Sequence, residues 1–140
     1  MPSMTDAEID ALLRNPEMGV LSTADAKGRP EGTPIWFEWD GERVRLLVHR
    51  TSRKARNIRE NPHVCLTLDT RTAPYRGVIL RGTAELSKAD PALRRRLAAH
   101  YLGEEVGRSY IEHTAALDED DALVTIRVTS RFSWDYSKGF

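Results

Sequence analysis

The residues best suited to bind a charged ligand are five basic side chains between positions 50 and 59. They are Arg50, Arg53, Lys54, Arg56 and Arg59. Ser52 is a typical helix N-cap, so the sequence predicts a helix over residues 53–59 with these cations around its first turns. Cations oppose the positive end of the helix dipole, whereas a phosphate is stabilised there. The cluster therefore predicts a phosphate site; the alternative is a solvated basic face, or pairing with Glu60 and Asp69.

A second candidate feature is a strand that could hold a flat ring. It carries Thr33, Pro34, Ile35 and Trp36. A planar heteroaromatic ligand needs an apolar slot with a few backbone hydrogen bonds. Trp36 or Trp134 could form a wall of such a slot, and the alternative is that both are core or interface aromatics. Arg76, which precedes a long predicted strand, could reach a neighbouring anion or be an ordinary surface residue.

Six strands and a few short helices must position these residues. Alternating apolar and polar positions predict strands over residues 18–24, 30–39, 43–49, 63–69, 75–86 and 122–134. Capping signals predict helices from a Thr5–Glu8 capping box, after Ser52, over 91–101 and over 104–116. Gly77 and Gly82 are expected to mark bulges or bends in the long fifth strand. The pattern lacks βαβ alternation, which favours an antiparallel barrel over a doubly wound sheet.

Length, composition and charge restrict the class of protein. The chain has 140 residues, the size of one domain, and equal numbers of acidic and basic residues. A net charge of zero, with no aromatics interleaved in the basic segment, argues against nucleic-acid binding. No signal peptide or membrane-spanning apolar run is evident, so we expect a cytoplasmic protein. The four histidines are scattered without partners at metal-ligand spacing, so we expect no metal site.

Four motifs in order carry a resemblance to a known family. They are GVLST at 19–23, GRPEGTPIW at 28–36, SRKARNIRENPHV at 52–64 and YRGVILRGTAEL at 75–86. Over about residues 5–135 the chain resembles the pyridoxamine 5′-phosphate oxidase-like superfamily of flavin and deazaflavin oxidoreductases. The resemblance implies a mainly β (α+β) fold, a six-stranded antiparallel split β-barrel of the FMN-binding type with short flanking helices. It also implies a homodimer with two cofactor sites at the subunit interface.

The resemblance also assigns the candidate site residues. In this family the strand that matches 33–36 runs beside the ring of the cofactor, and the segment that matches 48–57 holds its phosphate. The implied cofactor-binding residues are Thr33, Pro34, Ile35, Trp36, Val48, His49, Arg50, Thr51, Ser52, Arg53, Lys54 and Asn57. Arg76 joins them as a further candidate, and Lys54 is the first expected phosphate ligand. No residue is assigned a catalytic role.

Two departures from the family pattern refine the expected activity. True pyridoxamine phosphate oxidases have an Arg-x-Val-Leu-Leu-Lys strand where this chain reads TPIWFEW, and their C-terminal substrate segment has no counterpart here. Vitamin B6 oxidation is therefore disfavoured, and the chain is more similar to small reductases that use coenzyme F-420. We expect hydride transfer from coenzyme F-420, or from FMN, to an unsaturated small organic substrate. The alternative is a non-catalytic flavin- or haem-binding carrier of the same fold.

Overall fold

Seven antiparallel β-segments form one curved sheet in the computed structural model, which describes residues 2–139. They are β1 (Gly19–Ala24), β2 (Pro30–Ile35), β3 (Glu38–Trp39), β4 (Arg43–His49), β5 (His63–Asp69), β6 (Arg76–Lys88) and β7 (Asp121–Asp135). Their order across the sheet is β2-β1-β5-β6-β7-β4-β3. Met1 and Phe140, the ends of the predicted single domain 1–140, lie outside the described residues.

Four α-helices flank the sheet. They are α1 (Asp6–Leu13), α2 (Arg53–Glu60), α3 (Pro91–Leu102) and α4 (Glu104–His113). The predicted capping box is confirmed, because the Thr5 hydroxyl accepts from the Glu8 N–H at 3.2 Å and the Glu8 carboxylate accepts from the Thr5 N–H at 2.8 Å. The fourth helix ends earlier than the predicted residue 116 and is followed by a 3-10 turn over Ala115–Glu119. Within residues 2–139, every helix is too short or too polar to cross a bilayer.

The predicted strand 30–39 is divided into two segments, which raises the strand count from six to seven. β2 pairs with β1 at one edge of the sheet, and β3 pairs with β4 at the other edge. The chain passes from one edge to the other through Trp36 and Phe37. A single stretch of ten residues therefore brings the two edges of the sheet together and closes the split barrel. The predicted mainly β architecture is confirmed.

The barrel interior is filled by alternating side chains, as the sequence pattern predicted. Leu21, Leu46, Leu66, Leu80 and Ile126 are inaccessible to solvent and face one another across the sheet. Each such side chain contributes about 1.5–3 kcal/mol on burial. The register of β6 against β7 shifts between Arg81 and Gly82, which confirms the predicted bulge there. The register stays regular at Gly77, where the indole of Trp134 packs directly against the glycine backbone.

The outer face of the sheet carries an apolar row. Val20, Thr67, Ile79 and Phe132 are successive cross-strand neighbours on β1, β5, β6 and β7. The Phe132 side chain is 44% exposed, and its ring lies 6.0 Å from that of Trp134. We call these four residues and Trp134 the outer apolar row. The other four side chains are partly buried, and a contiguous, partly exposed apolar patch of this kind is typical of a surface that another molecule covers.

Candidate functional site

The split of the barrel lies between β2 and β4, and most of the predicted site residues border it. Thr33, Pro34 and Ile35 lie on β2, whose only strand partner is β1. His49 ends β4, and Arg53 begins α2 immediately beyond it. An ion pair of 3.4 Å between the Arg53 guanidinium and the Glu31 carboxylate joins the start of α2 to β2. The structure therefore brings the predicted ring-binding strand together with the predicted phosphate-binding segment, residues 49–54. We call this segment the corner.

The cations of this corner are weakly paired. The Arg50 guanidinium lies 3.7 Å from the Asp120 carboxylate, and its side chain is 59% exposed. The side chain of Arg53 is 64% exposed despite its ion pair. Exposed ion pairs of this kind are worth only about 0–1 kcal/mol, so both arginines can turn to a stronger anion. The pairing with Glu60 and Asp69 that the sequence left open does not form.

Lys54 is the cation with most to gain from a ligand. Its side chain is half-buried, and it has no hydrogen bond or ion pair to any described residue. The backbone N–H groups of Arg53 and Lys54 likewise have no backbone acceptor within residues 2–139. These unused donors at a helix N-terminus, beside an ammonium group, form the arrangement that binds phosphate.

The loop before α2 is organised by its own polar side chains. The Ser52 hydroxyl accepts a hydrogen bond from the Ala55 N–H at 3.2 Å and so acts as the helix cap. The Thr51 N–H lies 3.3 Å and its hydroxyl 2.8 Å from His49 Nδ1. These contacts fix the turn that presents the cations, because they satisfy the side chains within the loop itself. Ser52 and His49 thus shape the corner.

Two of the predicted site residues point into the protein interior. Val48 is 3% exposed and belongs to the core. Asn57 is 2% exposed, and its amide donates to the Thr23 hydroxyl at 3.0 Å. That bond fastens α2 to β1, since Thr23 is itself buried on the inner face of β1. Both residues therefore position the corner, and their side chains do not reach its surface.

An apolar cleft of about 350 Å³ adjoins the split. Its lining includes Pro34, Ile35 and Trp36 from the predicted ring-binding segment, Leu47 from β4 and Tyr110 from α4. The indole of Trp36 stacks on the ring of Tyr101 at 5.2 Å and is tilted by 58° from the ring of Tyr110. Trp36 thus lines this cleft, and two tyrosine rings contact its indole. Trp134, the other candidate wall, lies on the outer face of the sheet.

A buried arginine lies at the base of this cleft. Arg94 is 6% exposed, and its guanidinium contacts the Asp118 carboxylate at 3.2 Å and the Asp121 carboxylate at 3.7 Å. It also donates to the Thr114 hydroxyl and lies 5.4 Å from the centre of the Tyr110 ring. Burial raises the pKa of Asp121, and the charge of Arg94 opposes that rise. The network fastens α3 to the 3-10 turn and to the start of β7.

Sequence reasoning missed the residues that α3 and α4 bring to the cleft or to Trp36 in its lining. Tyr101, Tyr110 and Arg94 lie in segments that show only helical periodicity, so no local motif distinguishes them. The basic run at Arg94 was visible in sequence, but its burial was not. Only the packing of the helical pair against the split reveals their contribution.

Arg76 is not part of this corner. It begins β6 opposite Asp135, whereas the corner lies near the far end of that strand, where Lys88 pairs with Ala122 beside Val48. Arg76 instead lines a separate cavity of about 560 Å³ with Asp69, Thr70 and Ser137. Within one protomer the structure therefore does not bring Arg76 together with the other predicted site residues.

Comparisons with solved structures agree with this architecture. A protein described as an F-420 reductase is 30% identical, covering 88% of this chain and 94% of its own, with a TM-score of 0.74. The conserved hypothetical protein Rv2991 from Mycobacterium tuberculosis is 27% identical, covering 96% and 87%, with a TM-score of 0.79. HutZ, the haem storage protein from Vibrio cholerae, is 20% identical, covers 92% of each chain, and has a TM-score of 0.66, a likeness of fold alone.

The family itself is shown by sequence. No curated protein matches the chain. The family model for pyridoxamine 5′-phosphate oxidase, however, matches residues 5–135. That span includes all four motifs, every strand of the barrel and the corner at the start of α2. The chain therefore belongs to the pyridoxamine 5′-phosphate oxidase-like split-barrel family, as the resemblance predicted.

Proposed function

We propose that this protein is an oxidoreductase that binds coenzyme F-420, or less favourably FMN, and reduces an unsaturated small organic substrate. The observation that carries the proposal is the free cationic corner at Lys54, joined by β2 to a cleft walled by Trp36. An anionic tail needs the first feature and a flat ring needs the second. The likeness to an F-420 reductase over most of both chains supports the deazaflavin over FMN.

Each part of the site has a defined task in this proposal. Lys54 and Arg53 neutralise the phosphate, with Arg50 free to leave Asp120 and join them. Backbone groups of residues 33–36 align the ring, and Trp36 limits where it can lie. The bound cofactor would supply the hydride itself. No side chain is assigned as a proton donor, so the accompanying proton comes from water.

We further propose a homodimer in which the outer apolar row is covered by a second copy. Contact of the Phe132 and Trp134 side chains with water is unfavourable in free energy. Burying these side chains against a second copy removes that contact. Arg76 could then reach a cofactor only across the interface, from the other protomer.

A haem carrier is less well supported by the site. Haem proteins commonly hold the iron through a histidine. None of the residues that line the apolar cleft is a histidine. His49 ends β4 at the corner, and it does not belong to the lining of this cleft. A haem carrier would therefore require an iron ligand from outside this cleft.

Titration of the purified protein tests the proposed function. Coenzyme F-420 and FMN are added separately, and binding is followed by the anisotropy of the cofactor and by quenching of tryptophan fluorescence. We expect saturable binding of coenzyme F-420 with two cofactors per dimer, and its reduced form should then be oxidised by an unsaturated acceptor. If neither nucleotide binds, the proposal is wrong; tight binding without turnover with any acceptor would favour the carrier.

Lys54→Ala should weaken cofactor binding by about 1.5–3 kcal/mol, the value of a hydrogen bond to a charged group. That loss corresponds to a roughly 10- to 150-fold higher dissociation constant. The measurement is the same titration at fixed ionic strength. Lys27→Ala removes an exposed lysine from the turn between β1 and β2 and serves as the control, with affinity unchanged. Equal affinity of the two variants would remove Lys54 from the site.

A further inference from the structure

The division between β2 and β3 leaves backbone polar groups without strand partners. Residues 36 and 37 belong to neither segment, because the chain turns there from one edge of the sheet to the other. Phe37 is 2% exposed, so its N–H and C=O groups lie near a buried ring and far from bulk water. A buried backbone group without a partner is costly, so something else must satisfy these two.

The hydroxyl of Tyr101, near the end of α3, satisfies them. It accepts a hydrogen bond from the Phe37 N–H at 3.2 Å. Its own proton can be donated to the Phe37 carbonyl or to the Glu17 carbonyl, each 3.2 Å away. The Tyr101 hydroxyl carries its proton at neutral pH, as an ordinary tyrosine does, and burial raises its pKa further. One hydroxyl therefore ties the break in the strand to the segment that precedes β1.

The ring of Tyr101 makes a second contact on the same segment. It lies parallel to the indole of Trp36, with an angle of 2° between the planes and 5.2 Å between the centroids. Stacking of this kind stabilises a pair of aromatic rings beyond simple burial. The ring thus holds the orientation of Trp36, while the hydroxyl holds the backbone of the next residue. Both contacts act on the wall of the cleft.

We propose that Tyr101 is a positioning residue for the cofactor ring, because it fixes both the strand break beside the split and the plane of Trp36. This inference deepens the proposed function and rests on it. Tyr101 itself does not line the cleft and acts through Trp36 and Phe37. Its effect therefore falls on the affinity for the ring and on the geometry of the wall.

Tyr101→Phe isolates the hydroxyl, since the phenyl ring can keep the stacking. Tyr75→Phe is the control: this tyrosine is 51% exposed, lies outside the lining of the cleft, and its hydroxyl has no partner among the described residues. The first measurement, on protein without cofactor, is amide hydrogen exchange at Phe37 by NMR. The second is the dissociation constant for coenzyme F-420 and for FMN. Thermal unfolding of each variant reports the general loss of stability.

We expect Tyr101→Phe to speed exchange at Phe37 at least tenfold and to raise the dissociation constant about five- to tenfold, with both unchanged in Tyr75→Phe. Unchanged exchange at Phe37 would overturn the assignment of the hydroxyl. Faster exchange with unaltered affinity would show a merely structural role and would also overturn the proposal. Failure of the wild-type protein to bind either nucleotide would instead overturn the proposed function, and with it a role for Tyr101 toward a ring. The exchange data separate the two failures.

Discussion

Replacing Arg94 with Met is expected to lower the free energy of unfolding by about 3–5 kcal/mol, the loss seen when one member of a buried ion pair is removed. The guanidinium is almost completely buried, and it faces two carboxylates and the Thr114 hydroxyl. Met fills similar space, so the loss reflects uncompensated charge on Asp118 and Asp121. Urea unfolding at pH 7 provides the measurement.

Two further variants make this prediction specific. Arg95→Met changes the neighbouring residue of α3, which is exposed, and should stay within about 0.5 kcal/mol of the wild type. Arg94→Met combined with Asp121→Asn should recover part of the loss, because the second change removes a charge that the first leaves unpaired. If the single variant Arg94→Met is as stable as Arg95→Met, the ion pairs of Arg94 contribute nothing to the free energy of unfolding.

The loss of unfolding free energy in Arg94→Met should also depend on pH. Burial raises the pKa of Asp121 while Arg94 lowers it, and Asp118, Asp120 and His49 also act on this carboxyl. A carboxyl whose folded pKa is raised destabilises the folded state at higher pH, and protonation removes that cost as the pH falls. Without Arg94 the pKa rises further. The deficit of Arg94→Met should therefore narrow as the pH falls from 7 toward about 4, the ordinary pKa of an aspartate; a constant deficit would contradict this explanation.

Gly82→Ala is expected to destabilise the fold by about 3 kcal/mol, at the upper end of the usual range for overpacking. A methyl group at this position would lie 2.1 Å from the Arg127 carbonyl oxygen and 2.9 Å from its carbon, which are backbone atoms. Neither can move without disturbing the bulge between β6 and β7. The free energy of unfolding in urea is the readout.

Gly32→Ala supplies the comparison for this change. A methyl group there would meet only a Val20 side-chain carbon, at the ordinary distance of 3.4 Å. Gly32 is also exposed on the edge strand β2. We expect little change or a small gain in stability, because alanine restricts the unfolded chain. Equal destabilisation by both substitutions would mean that the bulge at Gly82 tolerates a side chain.

Local chemistry explains what the sequence alone could predict. Thr5 and Ser52 cap their helices through hydrogen bonds to residues three positions away, so adjacent residue types are sufficient to identify them. The alternation in β4 and β5 likewise follows from the two faces of a strand. The meeting of residues 33–36 with the start of α2 was predicted through family resemblance, and the Arg53–Glu31 ion pair now gives it a geometry.

The features that the sequence did not predict depend on contacts between segments that are distant along the chain. The break at Trp36 and Phe37 depends on Tyr101, which lies 64 residues further along the chain from Phe37. The alternating pattern of 30–39 gives no sign of it, since both segments remain extended. Arg94 is the first of three consecutive arginines, and only the fold shows that it alone is enclosed. Burial of a charge depends on tertiary packing, which a local pattern does not encode.

The placement of residues 30–39 at both margins of the sheet has a consequence for aggregation. Exposed strand edges are templates for pairing with other chains, and prolines are a common protection against this. Pro30 and Pro34 lie on β2 and limit such pairing there. If this segment were released, β1 and β4 would each lose one of their two strand neighbours, and two unpaired strand edges would be exposed at once. A ligand that binds residues 30–39 would therefore also protect the protein from aggregation. Its binding favours, by mass action, the form in which this segment is paired at both edges of the sheet.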